Sequence, residues 1–336
     1  MGYRDFIDTP PCEASGKKIN WSAFLKTLLP ATVLALLFLL HRTIPTNPKY
    51  TITESSSFNS FLAFLFIFFL LWAVVSCFSE KLRRRLEYKA VFFAAAFLLL
   101  GLYDFITIKL FILPGLYFPA PGRIVDVFVN EGFFILQCLV YSLRLLLGGF
   151  FLGALAGVLT GTLIGWSPRW NYWVMPLIRV IGPIPSTAWI PVALVVFTQA
   201  TEASLFLIAL GVWFPTTILT SSGIMNVPKN YFEVSSTLGA GNFRNVVSVA
   251  LPAAAPSIFT GLFNGTSASF LTLMAAEMIG CKFGLGWYIN WQRETLAYPQ
   301  IYAALIVIAA VFSLLIGLQF KIRNKMLCWQ KGMIRW

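Results

Sequence analysis

A chain that did chemistry alone would need clustered titratable or nucleophilic side chains, and these 336 residues offer few. There is one histidine, His41, and no pair of carboxylates sits at helical spacing inside an apolar run. No G-x-x-x-x-G-K-[ST] loop is present to cradle nucleotide phosphates; GCKFGLG at 280–286 lacks both the spacing and the ending. The chain therefore has no means of hydrolysing ATP by itself. Five cysteines (Cys12, Cys77, Cys138, Cys281, Cys328) show no C-x-x-C pairing and read as small core residues, with no disulfide or metal site expected. The ionisable residues in or near apolar runs are Asp104, Lys109, Arg144 and Glu277, and in hydrocarbon such groups mark pairs or pathways. Asp104 and Lys109 approach the outer end of a run, where they pair or snorkel. Arg144 either meets an anionic solute or reaches outer headgroups. Glu277, in AAEMIG, caps or pairs at a gate, or touches solute directly.

The elements that must position these residues are membrane spans. Hydrophobic residues make up 58% of the chain, aromatics 16% and charged residues 11%, where soluble domains carry about a quarter charged. Runs long enough to cross ~30 Å of hydrocarbon, about 20 residues each, cover 24–41, 58–78, 90–113, 136–166, 182–200, 203–224, 253–279 and 300–320. The expectation is an all-α polytopic membrane protein with about eight spans and both termini on one side. With the N-terminus cytoplasmic, 18 of the 25 basic residues fall inside, among them Arg4, Lys17, Lys18, the run SEKLRRRLEYK at 79–89 and the tail residues Lys331 and Arg335. Topology thus accounts for the net charge of +12, and nucleic acid is not an expected partner. The first run follows a polar leader and reads as a retained span rather than a removable signal peptide.

The basic run separates residues 1–89, a leader and two spans, from a six-span unit over 90–320, followed by a basic tail at 321–336. No polar segment is long enough for a soluble domain, so any engine or receptor must be another chain. Gly149, Gly153, Gly157, Gly161 and Gly165 recur every fourth residue and let another helix approach closely, either as tight packing within one subunit or as a surface that slides. RVIGPIPSTAWIP carries Pro183, Pro185 and Pro191; with Ser186 it either lines a pathway or forms a kink satisfied by neighbouring helices. Residues 225–252 interrupt the apolar runs on the cytoplasmic side. Helix formers at 229–238, Gly239-Ala240-Gly241 as a left-handed break and Asn242 as a cap predict a short helix, a bend and a second helix along the membrane face.

That loop carries a resemblance. Glu233, then Val234-Ser235, Ser236-Thr237-Leu238, Gly239, nine residues and Val249-Ala250-Leu251-Pro252 resemble the E-A-A-x3-G-x9-I-x-L-P motif of ABC-importer permeases. FPAPGRIVDVFVNEG, the glycine-striped span, RVIGPIPSTAWIPVALVVF, LFLIALGVWFPTTILT and AAEMIGCKFGLGWYI resemble, in order, nitrate/sulfonate/taurine-type members over roughly 90–320. The resemblance implies a type I importer permease: a membrane subunit, not an enzyme, in the inner membrane of a prokaryote. It implies a coupling loop at 229–252, with Glu233, Ser236, Leu238, Gly239, Ala240, Gly241, Leu251 and Pro252, docking on an ABC ATPase that holds ATP and Mg. It also implies an extracellular solute-binding protein and a second permease copy. The expected cargo is a small oxyanion such as nitrate, sulfonate or taurine, with a pyrimidine-like heterocycle as the alternative. An autonomous carrier or channel and a lipid-modifying membrane enzyme are the competing classes. Spans 24–78 have no counterpart in six-span members, and an accessory packing or assembly role is expected for them.

Overall fold

The computed structural model describes residues 21–46, 56–78 and 80–329. The leader through residue 20, with Arg4, Cys12, Lys17 and Lys18, the connector 47–55, and 330–336, with Lys331 and Arg335, lie outside the described residues. Among the described residues every regular element is helical, and seven helices are long and apolar enough to cross a membrane, or eight if one bent pair is a single span. This is the all-α, roughly eight-span architecture expected from the apolar runs.

The chain divides into two compact units, Met1–Asp126 and Val127–Trp336. The division lies well past the basic run, because α3 (Glu80–Asp104) continues unbroken across residue 89. In the first unit, α1 (Trp21–Thr43) packs on both α2 (Ser56–Phe78) and α3. Its core is bulky: Leu34, Phe58 and Leu62 are almost fully buried, and Phe69 meets Phe93 and Phe97 edge to face at 5.3 and 5.2 Å. Its polar tie is long-range, with His41 Nδ1 and Asp104 Oδ2 2.7 Å apart and both residues buried. Lys109, in a π turn over Phe105–Lys109, donates to the carbonyls of His41 (3.1 Å) and Ile44 (2.5 Å) at the end of α1.

The second unit takes in most of α4 (Pro121–Trp166). This helix starts well before the expected span at 136, with Pro121 at its first position, where a missing N–H costs nothing. Its 46 residues make a rod of ~69 Å, more than twice the hydrocarbon thickness. The glycine stripe of α4 lies on α7 (Ala200–Met225) of the same chain. A Cβ added at Gly157 would sit 2.7 Å from Thr216 Cβ, one at Gly161 2.6 Å from Thr220 Cβ, and one at Gly165 2.9 Å from Ile224 Cβ; Gly149 and Gly153 face Ile208 and Val212 in the same way. α7 also packs extensively on α10 (Leu251–Gly280).

The expected span 182–200 is not one helix. α5 (Pro168–Ile181) and the stretch Ser186–Val196, a 3-10 turn leading into α6 (Ile190–Val196), meet at 85°. Pro183 and Pro185 have no N–H to continue the ladder, so the chain closes a tighter Ile184 N–H to Ile181 O bond and turns away. The remaining elements are α8 (Lys229–Thr237), α9 (Asn242–Asn245), α11 (Leu285–Glu294) and α12 (Tyr298–Met326).

Candidate functional site

The polar interruption folds as a compact knuckle. α8 ends at Gly239, whose φ of +80° is the left-handed conformation that a side chain resists. Gly239 N–H donates to Ser236 O at 3.0 Å and Ala240 N–H to Ser235 O at 3.1 Å, the paired bonds of a Schellman cap. Gly241, not Asn242, takes the N-cap position of α9, and the Asn242 side chain makes no cap bond. Nor does a separate second helix follow. α9 is one turn long and runs through a π turn, Val246–Ala250, straight into α10, giving one helical stretch from Asn242 to Gly280. The π turn falls just before Pro252, whose ring and missing N–H would otherwise disrupt the regular ladder at that point.

The knuckle is anchored from inside and apolar outside. Phe232 packs against the buried cluster of Ile224, Ala250 and Ala254 and meets Trp166 edge to face at 5.4 Å, and buried Asn245 Nδ2 donates to Ser236 Oγ at 3.4 Å. Tyr231, Val234 and Leu238, at helical spacing on one face, are 54%, 60% and 83% exposed, and Phe243 beyond the turn is 82% exposed. Glu233 is exposed beside them. Large apolar groups gathered on one exposed turn are what a protein or membrane contact surface presents.

A cleft of about 320 Å³ opens where α5 breaks, lined by Pro185, Ser186, Trp189, Trp213, Asn264 and Thr272 among others. Its lining carries no charged residue. Ser186 Oγ and Thr272 Oγ1 share a hydrogen bond of 2.5 Å, and Trp213 Nε1 donates to Thr160 Oγ1 at 3.1 Å, so the walls are cross-tied.

Residues 149–326, more than half of the chain, match the family of binding-protein-dependent transport system inner membrane components. The chain belongs to that family. An ABC transporter permease protein of Methanocaldococcus jannaschii is 32% identical, the match covering 58% of this chain and 73% of that one. The bicarbonate transport system permease protein CmpB of Synechococcus elongatus is 33% identical over 53% of this chain and 63% of its own. The nitrate import permease protein NrtB of Leptolyngbya laminosa is 32% identical over 53% and 62%. The chain thus spans under two thirds of the length of the latter two relatives. The resemblance drawn from the loop motif is borne out at the level of family.

In this family member the other expected site residues separate. Arg144 is exposed on α4, and neither it nor Pro183 nor Glu277 lines the cleft. Glu277 is fully buried, and its Oε2 accepts from Ser142 Oγ at 2.9 Å and from Gly286 N–H at 2.8 Å, while Ser142 Oγ also accepts from Leu285 N–H. This carboxylate therefore holds the start of α11 against α4 and α10. Gly284 has φ +123° at that corner, and a Cβ there would meet the Glu277 carboxylate at 2.5 Å. Of the expected pathway residues, only Pro185 and Ser186 line the cleft.

Trp213, Asn264 and Thr272 were not singled out by sequence, although a lone Asn inside an apolar run is a usable signal. A second cluster also went unread: Tyr288 donates to Glu131 Oε2 at 2.7 Å, and Gln300 Nε2 donates to Glu131 Oε1 at 3.2 Å. Burial first, then Glu131, raise the pKa of the Tyr288 hydroxyl, so it stays a donor. Among the described residues no group of three or more His, Cys, Asp or Glu is gathered for a metal.

Proposed function

We propose that this chain is the membrane permease of an ATP-driven ABC importer, with the knuckle at 229–252 as the docking point for a separate ATPase subunit. The observation that carries the reading is the exposed apolar face of Tyr231, Val234, Leu238 and Phe243, held by the Gly239 cap in a member of this family. In this reading the knuckle and both termini face the cytoplasm of a prokaryotic cell, ATP and Mg belong to the ATPase, a solute-binding protein delivers cargo from outside, and a second copy of the chain completes the pathway. Closure of the ATPases drives the knuckles together, and the membrane subunits pass between two rigid arrangements. Gly239→Val tests it. No atom lies within 4 Å of where the new Cβ would sit, so the substitution acts through the left-handed backbone alone. The variant is expected to insert at normal levels and to lose ATPase co-purification and transport-coupled ATP turnover; normal coupling in that variant sinks the assignment.

For cargo, we infer a small oxyanion, supported by the names of the bicarbonate and nitrate relatives. A flat heterocycle is the second reading, favoured by the uncharged cleft with Trp189, Trp213 and Phe214 in its walls. Ligand binding by the partner solute-binding protein against nitrate, bicarbonate, sulfonates and pyrimidines separates the two. Tight binding of a pyrimidine alone rejects the oxyanion.

A further inference from the structure

The first unit contains a cavity of about 410 Å³ walled by α1, α2 and α3. That lies within the ~300–1,000 Å³ of small-ligand sites. Its walls are apolar, and Leu36, Leu40, Leu98 and Leu102 on them are 56%, 40%, 57% and 49% exposed, so in a membrane the mouth opens among lipid-facing leucines. One end is polar and built from His41, Asp104 and Lys109.

The bonding at that end is incomplete in one place. Asp104 is only 6% exposed; its Oδ2 is taken by His41 at 2.7 Å, and its Oδ1 has no hydrogen-bond partner. A buried acceptor without a donor is costly, and at the edge of a cavity it selects an occupant that brings one. Lys109 places a cation at the same end, its ammonium oriented by the carbonyls of His41 and Ile44. An acceptor that lacks a donor next to a cation is complementary to a zwitterionic head with N–H groups, and the leucine walls are complementary to an acyl chain. A trimethylammonium head has no N–H to give, and a glycerol head brings hydroxyls but no cation.

We propose that this cavity binds one phospholipid with a primary ammonium head group, of the phosphatidylethanolamine type. The ammonium donates to Asp104 Oδ1, the phosphate lies toward Lys109, and an acyl chain leaves between Leu36, Leu40, Leu98 and Leu102. The site lies outside residues 149–326 that define the family, so it gives the additional N-terminal helices a role of their own.

The test is native mass spectrometry on the delipidated full chain, offered dioleoyl-phosphatidylethanolamine, the matching phosphatidylcholine and phosphatidylglycerol, and dodecylammonium as a lipid-free amine. One equivalent of phosphatidylethanolamine is expected to be retained, with about tenfold preference over the other two lipids. Asp104→Asn is expected to weaken retention about tenfold. Leu36→Trp fills the mouth from an exposed position without touching the His41–Asp104 pair, and is expected to abolish retention at unchanged melting temperature. Equal retention of phosphatidylcholine or phosphatidylglycerol overturns the proposal, as does unchanged binding in either variant. Retention of dodecylammonium without phosphatidylethanolamine overturns the lipid as occupant.

Discussion

In the first unit α1, α2 and α3 are held by Phe58, Phe69, Phe93, Phe97 and Trp72, side chains that keep the backbones apart and fill the space between them. In the second, α4 and α7 meet almost backbone to backbone along five glycines, with carbonyls of α7 such as Trp213 O only 3.0 Å from where a Cβ on Gly157 would stand. Bulk packing can rearrange rotamers when a residue changes, and it fixes position loosely. Close approach has no side chain to rearrange, so it fixes the register of two helices tightly. The polar groups divide in the same way. The first unit buries the His41–Asp104 hydrogen bond at one end, whereas the α4–α7 contact of the second carries hydroxyls, such as the Thr160–Thr217 pair at 2.9 Å.

The largest effect that would break this contrast is at the stripe. Gly157→Leu drives a side chain into Thr216 and a backbone carbonyl, and is expected to cost about 3 kcal/mol in equilibrium unfolding from mixed micelles. His41→Ala leaves buried Asp104 without its partner and is expected to cost about 2 kcal/mol, confined to the first unit, with ATPase docking unchanged. Phe97→Leu removes bulk from a contact that can close up and is expected to cost about 1 kcal/mol; a loss equal to that of Gly157→Leu would erase the distinction drawn between the units. Smallest of all, Arg144→Ala changes an exposed residue on α4, and its stability shift is expected within about 0.5 kcal/mol. A large fall in transport in that variant would restore Arg144 as a pathway residue.

What sequence could show follows from the range of each interaction. Apolar runs, the glycine period and the turn chemistry at Gly239 are local patterns, and they gave the spans, a close-packed face and the bend of the knuckle. The motif around Glu233, Gly239, Leu251 and Pro252 led to the family. Pairings across the chain left no local trace: His41 and Asp104 are 63 positions apart, Glu131 and Tyr288 157, and Ser142 and Glu277 135. Hydropathy also sets spans by what hydrocarbon tolerates, so it missed the polar first part of α4, where a helix continues beyond the apolar stretch. It set a span at 182–200, where the α-helix covers only Ile190–Val196, and left α5, with Arg169, Asn171 and Arg179, outside every span. Proline spacing signalled a kink there, but not that the chain would turn through 85°.

The helical stretch from Asn242 to Gly280 is 39 residues, about 58 Å end to end. At one end is the knuckle; near the other, Glu277 grips Ser142 and the start of α11. There is no loop between them in which a displacement could be absorbed. If the knuckle is pushed, as the proposed docking requires, the displacement would reach the Glu277 end as leverage on the start of α11, because one continuous helical stretch joins the two.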